Sequence, residues 1–342
     1  MKKVRVLCLA HEDLIPPEKV AASQNFHSED WRTEQYVLST LRAMGHDAEI
    51  LGVRSDLGRI RSKVEEFKPD IVFNLLEEFH DQPLYDQNVV SFLELIPVAY
   101  TGCNPRGMIL SRDKALARKV LTYHRIPGPD FAVFHRGRAV RRPKRLNFPL
   151  FIKSQVEEAS LGISLSSIVD NDKDFQERVS FMHEKHNTDV IAEEYIEGRE
   201  LYVGLMGDER LTVFPIWELV FERMPEGAPR IATRRAKWDA KYQKKHGITS
   251  REASDLTAEL RSKIENVCRR TYRALGITGY ARIDLRLKES GEIYVIEANP
   301  NPEIAHGEDF ADSALQAGLS YEALLQKILN IGLRRAGRLS AG

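Results

Sequence analysis

Apolar positions in the first hundred residues switch between two periods. Val4 to Leu9 is nearly continuous in apolar side chains, as in a strand buried on both faces. Trp31 to Met44 places Tyr36, Val37, Leu41 and Met44 at helical spacing and stops at Gly45, a residue suited to the left-handed end of a helix. Ala48 to Val53 is strand-like, Leu57 to Phe67 helical before Pro69, and Ile71 to Leu76 a strand again. Asn88 to Leu95 reads as a helix and Val98 to Tyr100 as a short strand. Strands alternating with helices predict a parallel α/β sheet covered on both faces. Ligands of such sheets sit beyond the carboxyl ends of strands, which singles out Glu77, Glu78 and His80.

Past Ser111 the pattern changes. Arg112 to His124 is predicted helical, with Ser111 as its N-cap and Asp113 in its first turn, before the rigid break Ile126-Pro127-Gly128-Pro129. Phe148–Lys153, Ile163–Val169, Val190–Tyr195, Leu201–Met206, Leu211–Trp217, Tyr280–Leu287 and Ile293–Ala298 read as strands. Asp174–Lys185, Ser254–Leu275 and Tyr321–Arg335 read as helices. At 342 residues the chain is too long for one core, and three units are expected: an α/β domain over 1–103 and two α+β domains over 104–196 and 197–336.

Charge and composition narrow the function. Fifty basic residues balance fifty acidic ones, which argues against a nucleic-acid binder held by bulk charge. No apolar stretch approaches the roughly 20 residues that span a bilayer. The N-terminal apolar run is too short for a signal peptide, with His11-Glu12-Asp13 following at once. Cys8, Cys103 and Cys268 lie far apart, so neither a disulfide framework nor a structural zinc site is expected. These features together predict a cytoplasmic protein. Arg136 to Arg145 holds six basic residues in ten and reads as a solvated loop, the alternative being a surface for an acidic substrate.

The sharpest chemical signal is Tyr280-Ala281-Arg282-Ile283-Asp284-Leu285-Arg286-Leu287. Arg282, Asp284 and Arg286 share one face of a strand, and Ile283, Leu285 and Leu287 the other. A two-residue turn at Ser290-Gly291 would oppose Asp284 to Glu297 and Arg282 to Asn299 on the following strand. Two carboxylates and a carboxamide form an all-oxygen set suited to Mg²⁺; the alternative is that the acids pair with Arg282, Arg286 and lysines on a solvated face. Lys153 ends another strand and is followed by a polar loop holding Ser160 and Gly162, an arrangement that offers N–H groups and a point charge to phosphate. Glu193-Glu194-Tyr195-Ile196-Glu197-Gly198 is a strand rich in acids, which buried would need partners and at a sheet edge would not.

Taken in order, these segments resemble the ATP-grasp superfamily, and within it the D-alanine–D-alanine ligase-like branch. The resemblance covers roughly residues 96 to 306. It rests on Pro97-Val98-Ala99-Tyr100-Thr101-Gly102, on Arg112-Asp113-Lys114, and on the Arg282-x-Asp284…Glu297-x-Asn299 signature. It implies an ATP-grasp fold and an ATP-dependent carboxylate–amine ligase working through an acyl phosphate, with an ATP-grasp kinase or a nucleotide sensor as alternatives. By the same resemblance Lys114 and Lys153 face phosphates, Ser160 lies in the phosphate-covering loop, and Glu193, Glu194, Tyr195 and Ile196 form the hinge that meets adenine. Glu200 takes the ribose and Arg282 steadies the acyl phosphate. Asp284, Glu297 and Asn299 hold two Mg²⁺, with Mn²⁺ as the alternative ion. The lid lysine is Lys237, in Ala236-Lys237-Trp238, or else Lys241, in Ala240-Lys241-Tyr242. Substrates are amino-acid-like small molecules, without nucleic acid or membrane, and a homodimer is implied.

The chain also departs from that pattern. Ala10 to Pro17 replaces a Gly-rich turn carrying a substrate-binding Glu, for which Glu12 is the candidate, and Ala159 replaces the first of two adjacent serines. Glu303 and Glu308 follow the signature, where negative charge disfavours an acceptor carboxylate and suits an amine or cation. His306 is read as structural and His80 as a substrate-site candidate.

Overall fold

The computed structural model describes residues 3–18, 26, 28–156, 163–225 and 229–339. Its first unit contains β1 (Arg5–His11), α1 (Arg32–Ala43), β2 (Asp47–Val53), α2 (Leu57–Phe67), β3 (Ile71–Asn74), α3 (Asp86–Leu95) and β4 (Ala99–Tyr100). The four strands are parallel in the order β2-β1-β3-β4, as the alternating pattern requires. Helix α1 buries Val37, Leu38 and Leu41 and, against its pattern, the carboxylic acid Glu34.

One long helix was expected over 112–124; two shorter ones occur, α4 (Pro105–Arg112) and α5 (Lys114–Tyr123). Asn104 caps α4, with Pro105 in its first turn. Asp113, rather than Ser111, caps α5: it is extended and its Oδ1 accepts from the Leu116 N–H at 2.9 Å. This break places Lys114 in the first turn of α5. An antiparallel sheet follows in the order β5-β8-β6-β7, from β5 (Phe131–Phe134), β6 (Leu150–Ser154), β7 (Ile168–Val169) and β8 (Val190–Glu194). Helix α6 (Asp172–His186) covers it with Phe175, Val179 and Met182. Only Ile168–Val169 of the expected strand 163–169 pairs, because Leu165–Ser167 closes into a 3₁₀ turn.

The third sheet runs β12-β11-β9-β13-β14, with β10 beside β9. Its strands are β9 (Arg199–Met206), β10 (Thr212–Val213), β11 (Trp217–Phe221), β12 (Ile248–Glu252), β13 (Tyr280–Leu287) and β14 (Ile293–Pro300). The expected strand 211–217 is split at Pro215, which has no N–H for a ladder. Two short helices, α7 (Arg234–Trp238) and α8 (Ala240–His246), cross the sheet's edge, and α9 (Ala258–Ala274) starts at its Thr257 cap rather than at Ser254. After α10 (Asp309–Gln316), the closing helix α11 (Tyr321–Leu339) returns to the first sheet. A Cβ added at Gly332 would lie 2.5 Å from the Tyr100 carbonyl oxygen, and Arg335 donates to the carbonyls of Tyr100 and Gly102 at 2.9 and 2.8 Å. No helix among the described residues is long and apolar enough to cross a membrane.

Candidate active site

The three sheets enclose a cleft of about 1140 Å³. Its floor is the β13–β14 hairpin, where Asp284 pairs with Glu297 and Arg282 with Asn299, the predicted register. The route to that register differs from the expectation. Lys288 N–H donates to Glu292 O at 3.0 Å, so the loop is the three residues Glu289–Gly291, with Gly291 at φ +85°. That loop alone would oppose Asp284 to Ile296. Instead the pairing steps by one residue between Asp284 and Leu285, which leaves Ile296 as a bulge. Ile296 and Glu297 therefore both line the cleft, an apolar side chain beside a carboxylate.

Cations surround this floor. Lys114 Nζ lies 2.8 Å from Glu297 Oε1, and Arg282 grips Asp284 with two hydrogen bonds, at 2.7 and 3.0 Å. Burial would raise the Glu297 acid, but Lys114, Lys153 and Lys237 override it and pull it down to about 2. At Asp284 burial prevails over Arg282 and the carboxyl lies above its ordinary range. No described residue hydrogen-bonds the buried Nδ2 of Asn299, so its carboxamide is not held by the protein frame. Two carboxylates and an uncommitted carboxamide at adjoining register positions fit an oxygen-liganded divalent cation.

The hinge side is built on a buried ion network. Glu193 is only 2% exposed and receives Lys153 Nζ at 2.7 Å and Arg118 Nη2 at 2.9 Å. Burial raises its carboxyl, yet the two cations together hold it below the usual carboxylate range. Arg118 also donates to the carbonyls on either side of the bulge step, Val295 O and, at 2.9 Å, Ile296 O. One guanidinium thus joins α5, the hinge strand and the bulge beside Glu297. Sequence reasoning missed it, although Arg118 lies one helical turn beyond Lys114 and so on the same face. At the hinge, Glu194 N–H donates to Asp130 O and Tyr195 N–H to Pro149 O. Ile196 lines the cleft just beyond them.

Glu200 lines the cleft, receiving Arg286 Nη2 at 2.6 Å and Tyr202 Oη at 2.9 Å. Lys237, on α7 behind its Thr233 cap, lines the cleft with Nζ 6.0 Å from the Tyr202 ring centre, whereas Lys241 is not in the described lining. Ser160, Ala159 and Gly162 lie outside the described residues. Glu12 is turned to Arg54 and Arg59, at 3.5 and 3.6 Å, and is not in the described lining; the buried Glu34 of α1 is. Glu77 also lines the cleft, while Glu78 lies 3.5 Å from His11 Nε2 and His80 is exposed in a left-handed conformation. His306 is packed between the rings of Tyr36 and Tyr321, 4.9 and 4.1 Å away. In the basic run, Arg142 pairs with Asp172 and Arg145 donates to Phe131 O in a partly solvated loop.

Residues 120–330 match the family described as D-ala D-ala ligase C-terminus. The chain belongs to the D-alanine–D-alanine ligase family. It is 30% identical over 311 residues to the uncharacterized protein y4sG of Sinorhizobium fredii, covering 89% of this chain and 88% of that one. A D-alanine–D-alanine ligase of Moorella thermoacetica is 28% identical over 309 residues, covering 87% and 92%. The fold matches the Bacillus anthracis D-alanine–D-alanine ligase complexed with ATP, with TM-score 0.74 and 21% identity over 98% of this chain and 99% of that one. As a member of this ATP-grasp family the chain is an ATP-dependent carbon–nitrogen ligase, joining a carboxylate to an amine. The kinase and sensor alternatives are not favoured. The family uses ATP and Mg²⁺ and acts on small amino-acid substrates.

Proposed function

We propose that the cleft holds ATP between the second and third sheets and carries out both half-reactions on the β13–β14 floor. The observation that carries this reading is the bulged register, which sets Arg282, Asp284, Glu297 and Asn299 on one face among Lys114, Lys153 and Lys237. In the first half-reaction a substrate carboxylate oxygen attacks the γ-phosphorus, ADP leaves, and an acyl phosphate forms. In the second an amine attacks the acyl carbon, the C–O bond to phosphate breaks, and the amine gives up a proton. Phosphoryl transfer of this kind depends on positioning and charge neutralisation more than on a protein nucleophile.

Lys114 and Lys153 are assigned to the phosphates, Lys237 to the lid side of the γ-phosphate, and Arg282 to the acyl phosphate. Glu194 to Ile196 meet adenine, with Ile296 as an apolar floor; Glu193 anchors Lys153, and Glu200 takes the ribose. Ser160 is assigned to the loop covering the phosphates, outside the described residues. Asp284, Glu297 and Asn299 are the ligands for two Mg²⁺, which when bound neutralise polyphosphate charge. We further propose that units 1–103, 104–196 and 197–336 act as domains, that the protein works in the cytoplasm, and that it forms a homodimer.

The test is phosphate release from Mg-ATP with amino acids and amines added singly and in pairs, with product masses read from the same wells. Pair-dependent release with a condensed mass is expected. Release with one substrate alone, giving a stable phosphorylated product, would overturn the second half-reaction.

A further inference from the structure

Resting on that reading, we infer that the amine acceptor of this ligase is a cationic amine carrying a second ammonium group and no carboxylate, such as a diamine. The end of the cleft away from the hinge is formed by the start of α1, the loop after β3 and the segment leading from β14 to α10. There Asp30, Glu34, Glu77, Glu303 and Glu308 line the wall together with one cation, Arg32. Arg32 is already committed: its Nη2 donates to Glu303 Oε1 at 2.8 Å and to Glu308. Elsewhere in the described lining, every arginine and lysine except Lys237 is salt-bridged to a carboxylate, and Lys237 projects its charge onto Asp284 and Glu297. A donor carboxylate is consumed at the phosphate. A second carboxylate on the acceptor would enter a wall of acids whose two nearby cations, Arg32 and Arg282, are both salt-bridged to carboxylates.

Glu34 supplies the independent sign of a ligand. It is 3% exposed and lines the cleft, and its Oε2 has no hydrogen-bond partner among the described residues. A buried carboxyl oxygen without a partner costs free energy that a bound donor recovers, and an ammonium is the donor that suits both this oxygen and its acid neighbours. Burial, with Glu77 and Glu303 nearby, pushes its carboxyl up to about 8, and burial beside Glu303 pushes Glu308 to about 7. Both carboxyls thus sit where an incoming cation would favour their ionised forms.

The experiment compares acceptors that differ only in the carboxylate: 1,4-diaminobutane against ornithine, and 1,5-diaminopentane against lysine. Binding is measured by calorimetry on the full chain with Mg-ADP, alongside condensed mass and phosphate release with Mg-ATP and a panel of carboxylate donors. The diamines are expected to bind at least tenfold more tightly than their amino acids and to lose at least tenfold in Glu34→Gln. The exposed Glu77→Gln variant, which leaves the core untouched, should lose several-fold and guards against a folding defect in the first. Equal or tighter binding of ornithine or lysine, no diamine binding, or unchanged affinity in both variants would overturn the inference. Failure of the underlying ligase reading looks different: diamines bind with this preference, yet no pair yields a condensed mass.

Discussion

Arg118 offers the most demanding test of how the floor is held. Its guanidinium is 4% exposed and joins Glu193 to the two carbonyls at the β14 bulge. Arg118→Met keeps the stem and removes every donor. Breaking a buried ion pair by removing one partner costs about 3–5 kcal/mol. Lys153 stays 2.7 Å from Glu193, which places this contribution at the lower end. Each buried carbonyl left without a donor adds about 1–3 kcal/mol, shared here because one bulge relaxes for both. The expected loss is about 4 kcal/mol, or a drop in Tm of roughly 6 °C for a chain of this size. Arg118→Lys keeps the charge for Glu193 but cannot fork to both carbonyls, and should lose about half as much. Because the bulge sets the position of Glu297, kcat should fall on the order of 100-fold in the methionine variant, as for misplacements near 1 Å. Calorimetric melting and steady-state kinetics read both effects. A methionine variant within 2 °C and twofold of the parent would refute the structural role assigned to this arginine.

Glu297→Gln should abolish Mg-dependent turnover with circular dichroism unchanged; retained turnover would remove Glu297 from the ligand set. Arg282→Ala should lower kcat far more than it raises the KM for ATP, and a pure KM effect would contradict its assignment to the acyl phosphate. Glu34 has a folded-state pKa raised to about 8, so its contribution to stability is full below its unfolded value and is lost as pH rises through 8. At about 1.4 kcal/mol per unit, the stability of Glu34→Gln relative to the parent should improve by a few kcal/mol between pH 5 and pH 8.5. Urea midpoints at the two pH values measure this, and parallel profiles for the two proteins would show that Glu34 is not held protonated.

Much of the fold was legible because hydrophobic period survives in the final structure. The parallel first sheet, helices α1, α2 and α9, and the β13–β14 hairpin follow directly from where apolar residues recur. Short elements were harder. Helices α7, α8 and α10 and strand β12 span only five to eight residues each, too few for a period to declare itself. The split at Asp113 turned on a choice between two capping residues two positions apart, which local propensity does not decide.

The sequence by itself determined which chemistry is present: alternation puts Arg282, Asp284 and Arg286 on one face, and strand pairing brings Glu297 and Asn299 to it. Tertiary structure decided how those groups are held and what shares the cleft with them. The bulge at Ile296 has no signature of its own, since it depends on Arg118 and Pro127 arriving from elsewhere to take the strand's polar groups. The pairings of Glu193 with Lys153 and Arg118, and of Arg32 with Glu303 and Glu308, join residues from 40 to more than 270 positions apart. Such charges have no periodicity to betray them; only the packed chain brings them within the few ångströms over which a charge outweighs water.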